Sequence, residues 1–340
     1  MSDLVVDVHN HWMPQELLDT IEATLPSDYR AVRTNDGRIN IIDRFDVTAQ
    51  TIDIEGYGDT TKRLANMDIA GIDVVMLSAG CYPSWMTMQA ARMYNDAGAD
   101  LMRKHGGRLR PMIHVPPFGE DGILEEMERA ARLGLPGVGI ATNFHGLYPD
   151  EDEYLPFLRK AAELNLPVFI HAAGQPVHSE DLRKYSLTRN LGRSLDHTLV
   201  AVRMLHSGIL AGLPNLKVVI NHLGGSFFAT SKRYLDVMPD RPLPPGGYRK
   251  LLDQMLFDTA PAFWWGPTEI ECAVRSLGAE RIVLGSDYPA NPMRADPRVL
   301  LAAIANVRDA NLTPDEERLI LGGNAQRFYG VELADARTRG

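Results

Sequence analysis

Short apolar, β-branched runs recur along the chain at 4–9, 72–78, 109–115, 137–142, 167–172, 217–222, 255–259 and 281–286. Several are nearly continuous in Val, Ile and Leu, the pattern of strands buried on both faces, as in a parallel sheet. Amphipathic segments lie between them at 61–70, 88–105, 121–133, 153–164, 197–212, 268–277 and 297–307. Strand alternating with helix implies right-handed βαβ units. Eight such runs predict an α/β fold closed into a (β/α)8 TIM-type barrel, in preference to an open, doubly wound sheet.

Two segments break the rhythm. The connection from the first run to the helix at 61 spans about 50 residues, far beyond an ordinary loop. We read about 15–60 as an insertion, with short extra strands at 38–42 and 47–54 and a turn at Asp36-Gly37 before the first. The second is a Pro/Gly-rich loop at 239–247, after the sixth run. Both lie where barrel enzymes build substrate loops. With neither repeat nor linker in sight, residues 1–340 read as one barrel domain with a polar, fraying tail.

Composition narrows the partners. The formal net charge is −9 with no block of Lys or Arg, which argues against nucleic acid and anionic membranes. A small carboxylic acid fits only if local arginines hold it against that field. Two cysteines, Cys81 and Cys272, make neither a disulfide framework nor a Cys-rich zinc site. The start lacks a basic, then apolar, leader, and no run approaches the ~18 apolar residues of a membrane span. A cytoplasmic protein is expected.

Chemistry enters at the strand ends. Val6-Asp7-Val8-His9-Asn10-His11 places His9 and His11 two apart, hence on one face of a strand and pointing inward. The fifth run ends in His171, the sixth in His222, and the eighth leads into Gly285-Ser286-Asp287. Each thus delivers a metal-type ligand to the catalytic face of a barrel. The fourth run, Gly137 to Asn143, ends without a Lys or Glu to bridge a second ion, so one divalent metal fits better than two. His9, His11, His171 and Asp287 are its expected ligands. Zn2+ suits nitrogen and carboxylate donors with an open position, and Mn2+ shares them. His222 is assigned to water at the metal, as orienter or base, with a fourth His ligand as the alternative. Asp287 is also a candidate proton donor or acceptor. Asp7 is expected inward too, but deeper.

These residues resemble the amidohydrolase-related family that includes 2-amino-3-carboxymuconate-6-semialdehyde decarboxylase. The matching pieces are Asp7-Val8-His9-Asn10-His11, Phe169-Ile170-His171, His222-Leu223-Gly224-Gly225-Ser226-Phe227, Gly285-Ser286-Asp287-Tyr288-Pro289 and Gly323-Asn324-Ala325-Gln326-Arg327-Phe328-Tyr329, spread over nearly the whole chain. The resemblance implies a distorted barrel, one divalent metal and non-oxidative decarboxylation of an aromatic or conjugated, muconate-type acid. Hydratases and hydrolases of lactones or amides share the scaffold. It also implies a homodimer in which Arg233, eleven residues after His222, anchors a carboxylate in the neighbouring subunit. The family's other substrate arginine has no clear counterpart, leaving Arg38 and Arg44 as candidates. Two departures concern the substrate. Ala172-Ala173-Gly174 follows His171 where many relatives carry Pro, and the His-x-His start sides with the muconate-type branch rather than with Glu-x-His aromatic-acid decarboxylases.

All four tryptophans, Trp12, Trp85, Trp264 and Trp265, follow barrel runs at the presumed catalytic end. Flat walls suit a planar ligand, and Trp12, Trp85 and Trp264 are taken as substrate-contacting, with loop packing the bland alternative. His145 and His178 read as loop histidines within reach of substrate, and Thr142 and Asn143 as possible hydrogen-bonding partners of it. His114 reads as a core residue, and His105, His197 and His206 fall on helices and need no function.

Overall fold

The computed structural model describes residues 4–80, 85–174, 182, 184–236, 246–289 and 294–331. β1 (Val6–His11) is followed by an antiparallel sheet of β2 (Tyr29–Arg33), β3 (Arg38–Asp43) and β4 (Thr48–Asp53). Then come β5 (Val74–Ser78), β6 (Leu109–Pro111), β7 (Ile113–His114), β8 (Val138–Ala141), β9 (Val168–His171), β10 (Val218–Ile220), β11 (Met255–Asp258) and β12 (Ile282–Val283). Two parallel sheets run β1-β5-β6 and β12-β11-β10-β9-β8-β7. β6 and β7 are one stave interrupted at Met112, whose N–H donates to Leu77 O at 2.8 Å. The other seam is closed by Val8 N–H to Leu284 O (2.9 Å), Asp287 N–H to His9 O (2.9 Å) and His11 N–H to Tyr288 O (2.7 Å). The expected eight-stave barrel is therefore present, and its closing bonds involve ligand candidates directly.

The strands are buried on both faces because each side has a packing partner. Inside, Val6, Val8, Val74, Phe169, Val219 and Leu256 form a cluster, floored by Phe328 and Tyr329 of the helix Asn324–Tyr329. Outside, Val75, Leu77, Val168, Ile170, Val218 and Ile220 pack under the surrounding helices. Each fully buried aliphatic side chain contributes about 1.5–3 kcal/mol. The helices Thr60–Ala70, Met88–Lys104, Ile123–Arg132, Leu155–Glu163, Pro267–Leu277 and Pro297–Arg308 fall on the predicted amphipathic segments. Among the described residues, no helix is long and apolar enough to cross a membrane.

Three features were not foreseen. The insertion holds a helix, Gln15–Thr24, and one more strand than expected, β2, whose Tyr-Arg-Ala-Val-Arg sequence is half exposed and lacks an apolar face. A further helix, Phe227–Asp236, follows β10. The third feature is a β-bulge in β1, where Asp7 pairs with Val75 but Asn10 with Leu77. The extra residue lets Val8 face the interior cluster and still turns His9 and His11 inward. Asp7 consequently points away from the interior, like its neighbour Val75, which corrects the inward placement that strict alternation predicts. The loop at 239–247 lies outside the described residues except for 246–247, as do Cys81, His178 and the polar tail.

Candidate metal centre and substrate cleft

His9, His11, His171 and Asp287 each present one ligand atom, and these atoms all lie within 4.8 Å of one another. His11 Nε2 is 2.8 Å and His9 Nε2 3.3 Å from Asp287 Oδ1, and the two Nε2 atoms are 3.3 Å apart. The opposite nitrogen of each ring is engaged elsewhere. His9 Nδ1 meets Asp258 Oδ2 at 2.9 Å, His11 Nδ1 meets Ser78 Oγ at 3.0 Å, and His171 Nδ1 meets Ala172 O at 3.1 Å. A carbonyl and a carboxylate only accept, so in His171 and His9 the Nδ1 carries the proton and Nε2 turns to the cluster. His171 Nε2 is buried with no hydrogen-bond partner among the described residues. A buried, unpaired imidazole lone pair beside two more imidazoles and a carboxylate fits a divalent cation.

The electrostatics agree. Burial works against charge on Asp287, yet the hydrogen bonds from His11 and His9 hold its carboxyl well below the usual range. Burial and the neighbouring histidines push His171 well below its ordinary value. Burial would lower His9 too, but the Asp258 carboxylate and its hydrogen bond push it up to about 10. A proton and a cation are alternatives at such a nitrogen.

Asp258 escaped notice in the sequence, although the buried run Met-Leu-Phe-Asp of β11 ends on it as other staves end on candidate ligands. Its carboxylate accepts from His9 Nδ1, Asn221 Nδ2, the His222 N–H (2.9 Å) and the Ala260 N–H (3.1 Å). It therefore ties His9 to the turn that carries His222. His222 and Asp287 both take left-handed backbone, φ 55° and 64°, which costs non-glycine residues energy and is held by these surroundings. His222 Nδ1–H donates to Ala260 O at 3.1 Å, leaving Nε2 as the basic atom. Burial pushes its pKa down to about 4, so it is neutral at neutral pH.

Behind the cluster, Asp7 accepts from Asn10 Nδ2 (2.6 Å) and Ser286 Oγ (2.6 Å). The fully buried Arg63 donates to Asn10 Oδ1, to His11 O (2.6 Å) and to Gly56 O (2.9 Å). This network fixes the backbone of the His-x-His turn from outside the barrel.

In front of the cluster opens a cavity of about 320 Å3, which His11, His171, His222 and Asp287 reach from the barrel. The inserted sheet contributes Gln50 and Thr51 from β4. Gln50 is fixed at both ends of its amide, by Ala79 O at 2.7 Å and Trp85 Nε1–H at 3.0 Å. Gly174 has no room for a Cβ, which would lie 2.8 Å from Ala49 Cβ and 2.9 Å from its backbone. The Ala-Ala-Gly sequence after His171 thus lets β4 close over the barrel mouth.

The sequence-based substrate contacts separate on inspection. Trp264 is 50% exposed and lines the cleft. Trp12 and Trp85 do not: Trp12 packs on Tyr94 with ring centroids 5.2 Å apart, and Trp85 is fully buried behind Gln50. Trp85 thus packs behind the inserted sheet and Trp12 against the helix Met88–Lys104, so position after a strand misled. Arg38 and Arg44 pair with Asp36 (3.4 Å) and Asp28 (3.3 Å), and neither lines the cleft. Arg233 is exposed on the helix Phe227–Asp236. His145 is exposed against Phe144. Thr142 and Asn143 donate to the buried Asp196, as does Tyr148 OH at 2.6 Å. They lock the start of the helix Arg193–His206 rather than facing the cleft.

That helix and the turn before it, Thr188–Gly192, supply what the sequence reading passed over. Asn190, Arg193, Ser194 and His197 line the cleft at helical spacing. His197, expected to need no function, sits with its ring centroid 4.8 Å from that of His222, and its Nε2 is buried without a hydrogen-bond partner among the described residues. The polar stripe three and four residues apart was the available signal.

Three comparisons bear on this arrangement. A family profile described as Amidohydrolase matches residues 6–331. The 2-amino-3-carboxymuconate-6-semialdehyde decarboxylase of Dictyostelium discoideum is 26% identical over 291 residues, covering 81% of this chain and 77% of that protein. Among solved structures, 5-carboxyvanillate decarboxylase from Sphingomonas paucimobilis superposes with a TM-score of 0.76 at 24% identity, over 97% of this chain and 100% of its own. A dihydroxybenzoic acid decarboxylase from Polaromonas with bound manganese gives 0.70 at 19%, over 98% and 99%.

Proposed function

Because the chain belongs to the amidohydrolase family, we propose that it is a metal-dependent carboxy-lyase, removing CO2 without oxidation from an aromatic or conjugated, muconate-type acid. The observation that carries this reading is the convergence of the His9, His11 and His171 Nε2 atoms and the Asp287 carboxylate at the floor of a small cleft, with the base His222 alongside. The decarboxylase relatives support the reaction class.

In this reading His9, His11, His171 and Asp287 hold one divalent ion, Zn2+ by ligand chemistry or Mn2+ as in the Polaromonas protein. Such an ion supplies Lewis-acid polarisation of a substrate oxygen. The remaining work falls to the chain itself. Loss of CO2 breaks the bond between the carboxyl carbon and the substrate carbon, the electron pair stays on the substrate, and a proton must reach that carbon. His222, neutral and with Nδ1–H fixed on Ala260 O, takes a proton from solvent water at Nε2 and delivers it to that carbon. Asp287 is held as a carboxylate by His9 and His11, so it acts as ligand and proton acceptor. Trp264 gives the substrate ring a flat wall.

A homodimer completes the proposal. Leu191, Leu195 and Leu199 form an exposed apolar stripe at a spacing of four, and Arg233 is exposed on a helix nearby, so a second copy is the natural cover. Light scattering should give a dimer; a fully active monomer would remove Arg233 from the reaction.

The test of the reaction is elemental analysis of protein purified without added metal, followed by assay of CO2 release from aromatic and muconate-type acids. About one divalent ion per chain with metal-dependent CO2 release is expected. Metal-dependent hydration or hydrolysis without CO2 would overturn the decarboxylase reading.

A further inference from the structure

The candidate histidine ligands differ in what steadies the nitrogen turned away from the cluster. His9 Nδ1 faces the Asp258 carboxylate and His171 Nδ1 the Ala172 carbonyl, both of which only accept. Those two rings therefore keep Nδ1–H in every state. His11 Nδ1 instead faces the Ser78 hydroxyl at 3.0 Å, and a hydroxyl both accepts and donates. Ser78 ends β5, is 1% exposed and has His11 as its side-chain hydrogen-bond partner among the described residues.

On the other side of the ring, His11 Nε2 lies 2.8 Å from Asp287 Oδ1. Asp287 is held as a carboxylate, so two lone pairs would face each other there unless a proton or a cation lies between them. His11 is 1% exposed and shares Asp287 with His9, whose Nε2 is 3.3 Å from the same oxygen, so its ring stays neutral. A neutral imidazole carries one proton. With no cation bound, that proton is on Nε2, and the Ser78 O–H donates to Nδ1. With a cation on Nε2, the proton is on Nδ1, and Ser78 Oγ accepts from it. The ring is gripped throughout. Tyr57 stacks on it with centroids 5.9 Å apart and planes 11° apart, and His9 and His171 meet it edge-on at 5.0 and 4.9 Å. The proton and the hydroxyl change places while the ring stays.

We propose that Ser78 is a positioning residue whose hydroxyl reverses its hydrogen bond when the cluster takes up a divalent cation, so that the His11 proton passes from Nε2 to Nδ1. The ring loses a proton at one nitrogen and gains one at the other, with no net change. This rests on the metal-binding part of the reading above and not on the reaction. Asp258 and the Ala172 carbonyl fix His9 and His171 for a cation in advance. Ser78 lets His11 hold Asp287 by a hydrogen bond until the cation arrives, and then supplies the acceptor that its Nδ1–H needs.

The experiment is nitrogen-15 NMR of the full-length protein labelled at histidine, stripped with a chelator and then given about one equivalent of Zn2+. Long-range proton–nitrogen correlations separate a protonated ring nitrogen from a bare one, and the His11 signals are those lost in His11→Gln. Elemental analysis of the same sample measures zinc uptake. The expected result is Nε2–H at His11 without zinc and Nδ1–H with it, while His9 and His171 keep Nδ1–H in both. In Ser78→Ala, zinc affinity read by chelator competition should fall about tenfold, because the Nδ1–H is left buried without an acceptor. Ser78→Thr, which keeps the hydroxyl, should stay within about threefold. A thermal melt establishes that each variant is folded, and the native spectra carry the test if neither is. The role of Ser78 is overturned, and the metal reading left standing, by zinc bound with the His11 proton unmoved, by an imidazolium at His11 in the zinc-free protein, or by undiminished affinity in folded Ser78→Ala. Absence of zinc uptake would instead sink the metal reading, and this inference with it.

Discussion

Replacing Asp258 by Asn removes one acceptor oxygen and puts an NH2 in its place, almost without change of shape. In the native site one carboxylate oxygen serves His9 Nδ1 and Asn221 Nδ2, and the other serves the N–H groups of His222 and Ala260. An amide satisfies only one of these pairs. The backbone N–H groups cannot turn away, so the amide oxygen goes to them and the NH2 faces His9. Two hydrogen bonds to a charged acceptor are lost, at about 1.5–3 kcal/mol each, giving about 3–6 kcal/mol before the site relaxes. His9 can relieve the clash by moving its proton from Nδ1 to Nε2, the atom that faces His11 and Asp287. That disables it as a ligand. Metal affinity should therefore fall about 10- to 100-fold, the usual effect of removing a group that orients a ligating histidine. The assay is competition against a chelator of known affinity, with elemental analysis of the dialysed protein and a thermal melt to establish folding. If folded Asp258→Asn holds metal within about twofold of the native protein, Asp258 does not set the orientation of His9 and the reasoning fails.

Three more outcomes follow from the same geometry. Asp287→Asn should nearly abolish CO2 release with circular dichroism unchanged, since the side chain faces the cleft and carries no packing load; undiminished turnover would refute its assignment. Arg63→Met should lose at least about 3 kcal/mol in urea unfolding, because it strands Asn10 Oδ1 and the carbonyls of His11 and Gly56 inside the protein. His114 is pushed down to about 3 by burial, with its Nε2 accepting from the Ala79 N–H at 3.1 Å and its Nδ1–H donating to Gly139 O at 3.3 Å. The unfolded chain takes a proton there near pH 6.5 and the folded one does not. Its stabilising contribution is thus whole above 6.5 and falls by up to about 1.4 kcal/mol per pH unit as pH drops toward 3. A ring signal in the folded protein that titrates near 6.5 by NMR would contradict this.

The strand ends were legible because physics forces them to be. A stave buried on both faces must be apolar throughout, so a His or Asp at its end stands out, and His171, His222 and Asp287 could be picked from the sequence alone. Where that contrast fails, the reading fails. β2 was missed because a half-exposed strand with arginines facing solvent has no apolar signature. The β1 bulge is invisible because it is a matter of pairing between strands, and the residues of β1 are the same whether Asp7 faces in or out. Trp12 and Trp85 were placed at the substrate because both follow strands, but both rings are interior, Trp12 against Tyr94 and Trp85 behind Gln50 of the inserted sheet.

The cationic side of the cleft shows a deeper limit. Arg38, Arg44, Arg193 and Arg233 look alike in the sequence, and only solvation tells them apart. Arg38 and Arg44 spend their charge on surface carboxylates, where an ion pair contributes little, and Arg233 is exposed. Arg193 lines the cleft, and its Nε and Nη2 have no hydrogen-bond partner among the described residues, while Asp196 three residues on is held by Thr142, Asn143 and Tyr148. Those three contacts join the end of β8 to a helix some 50 residues further on, and no local pattern encodes them. The consequence can be checked without reference to catalysis. Asp196→Asn turns one acceptor oxygen into a donor among Thr142, Asn143 and Tyr148, so the melting temperature should fall while circular dichroism is kept. An unchanged melting temperature would show that these contacts do not hold the helix in place.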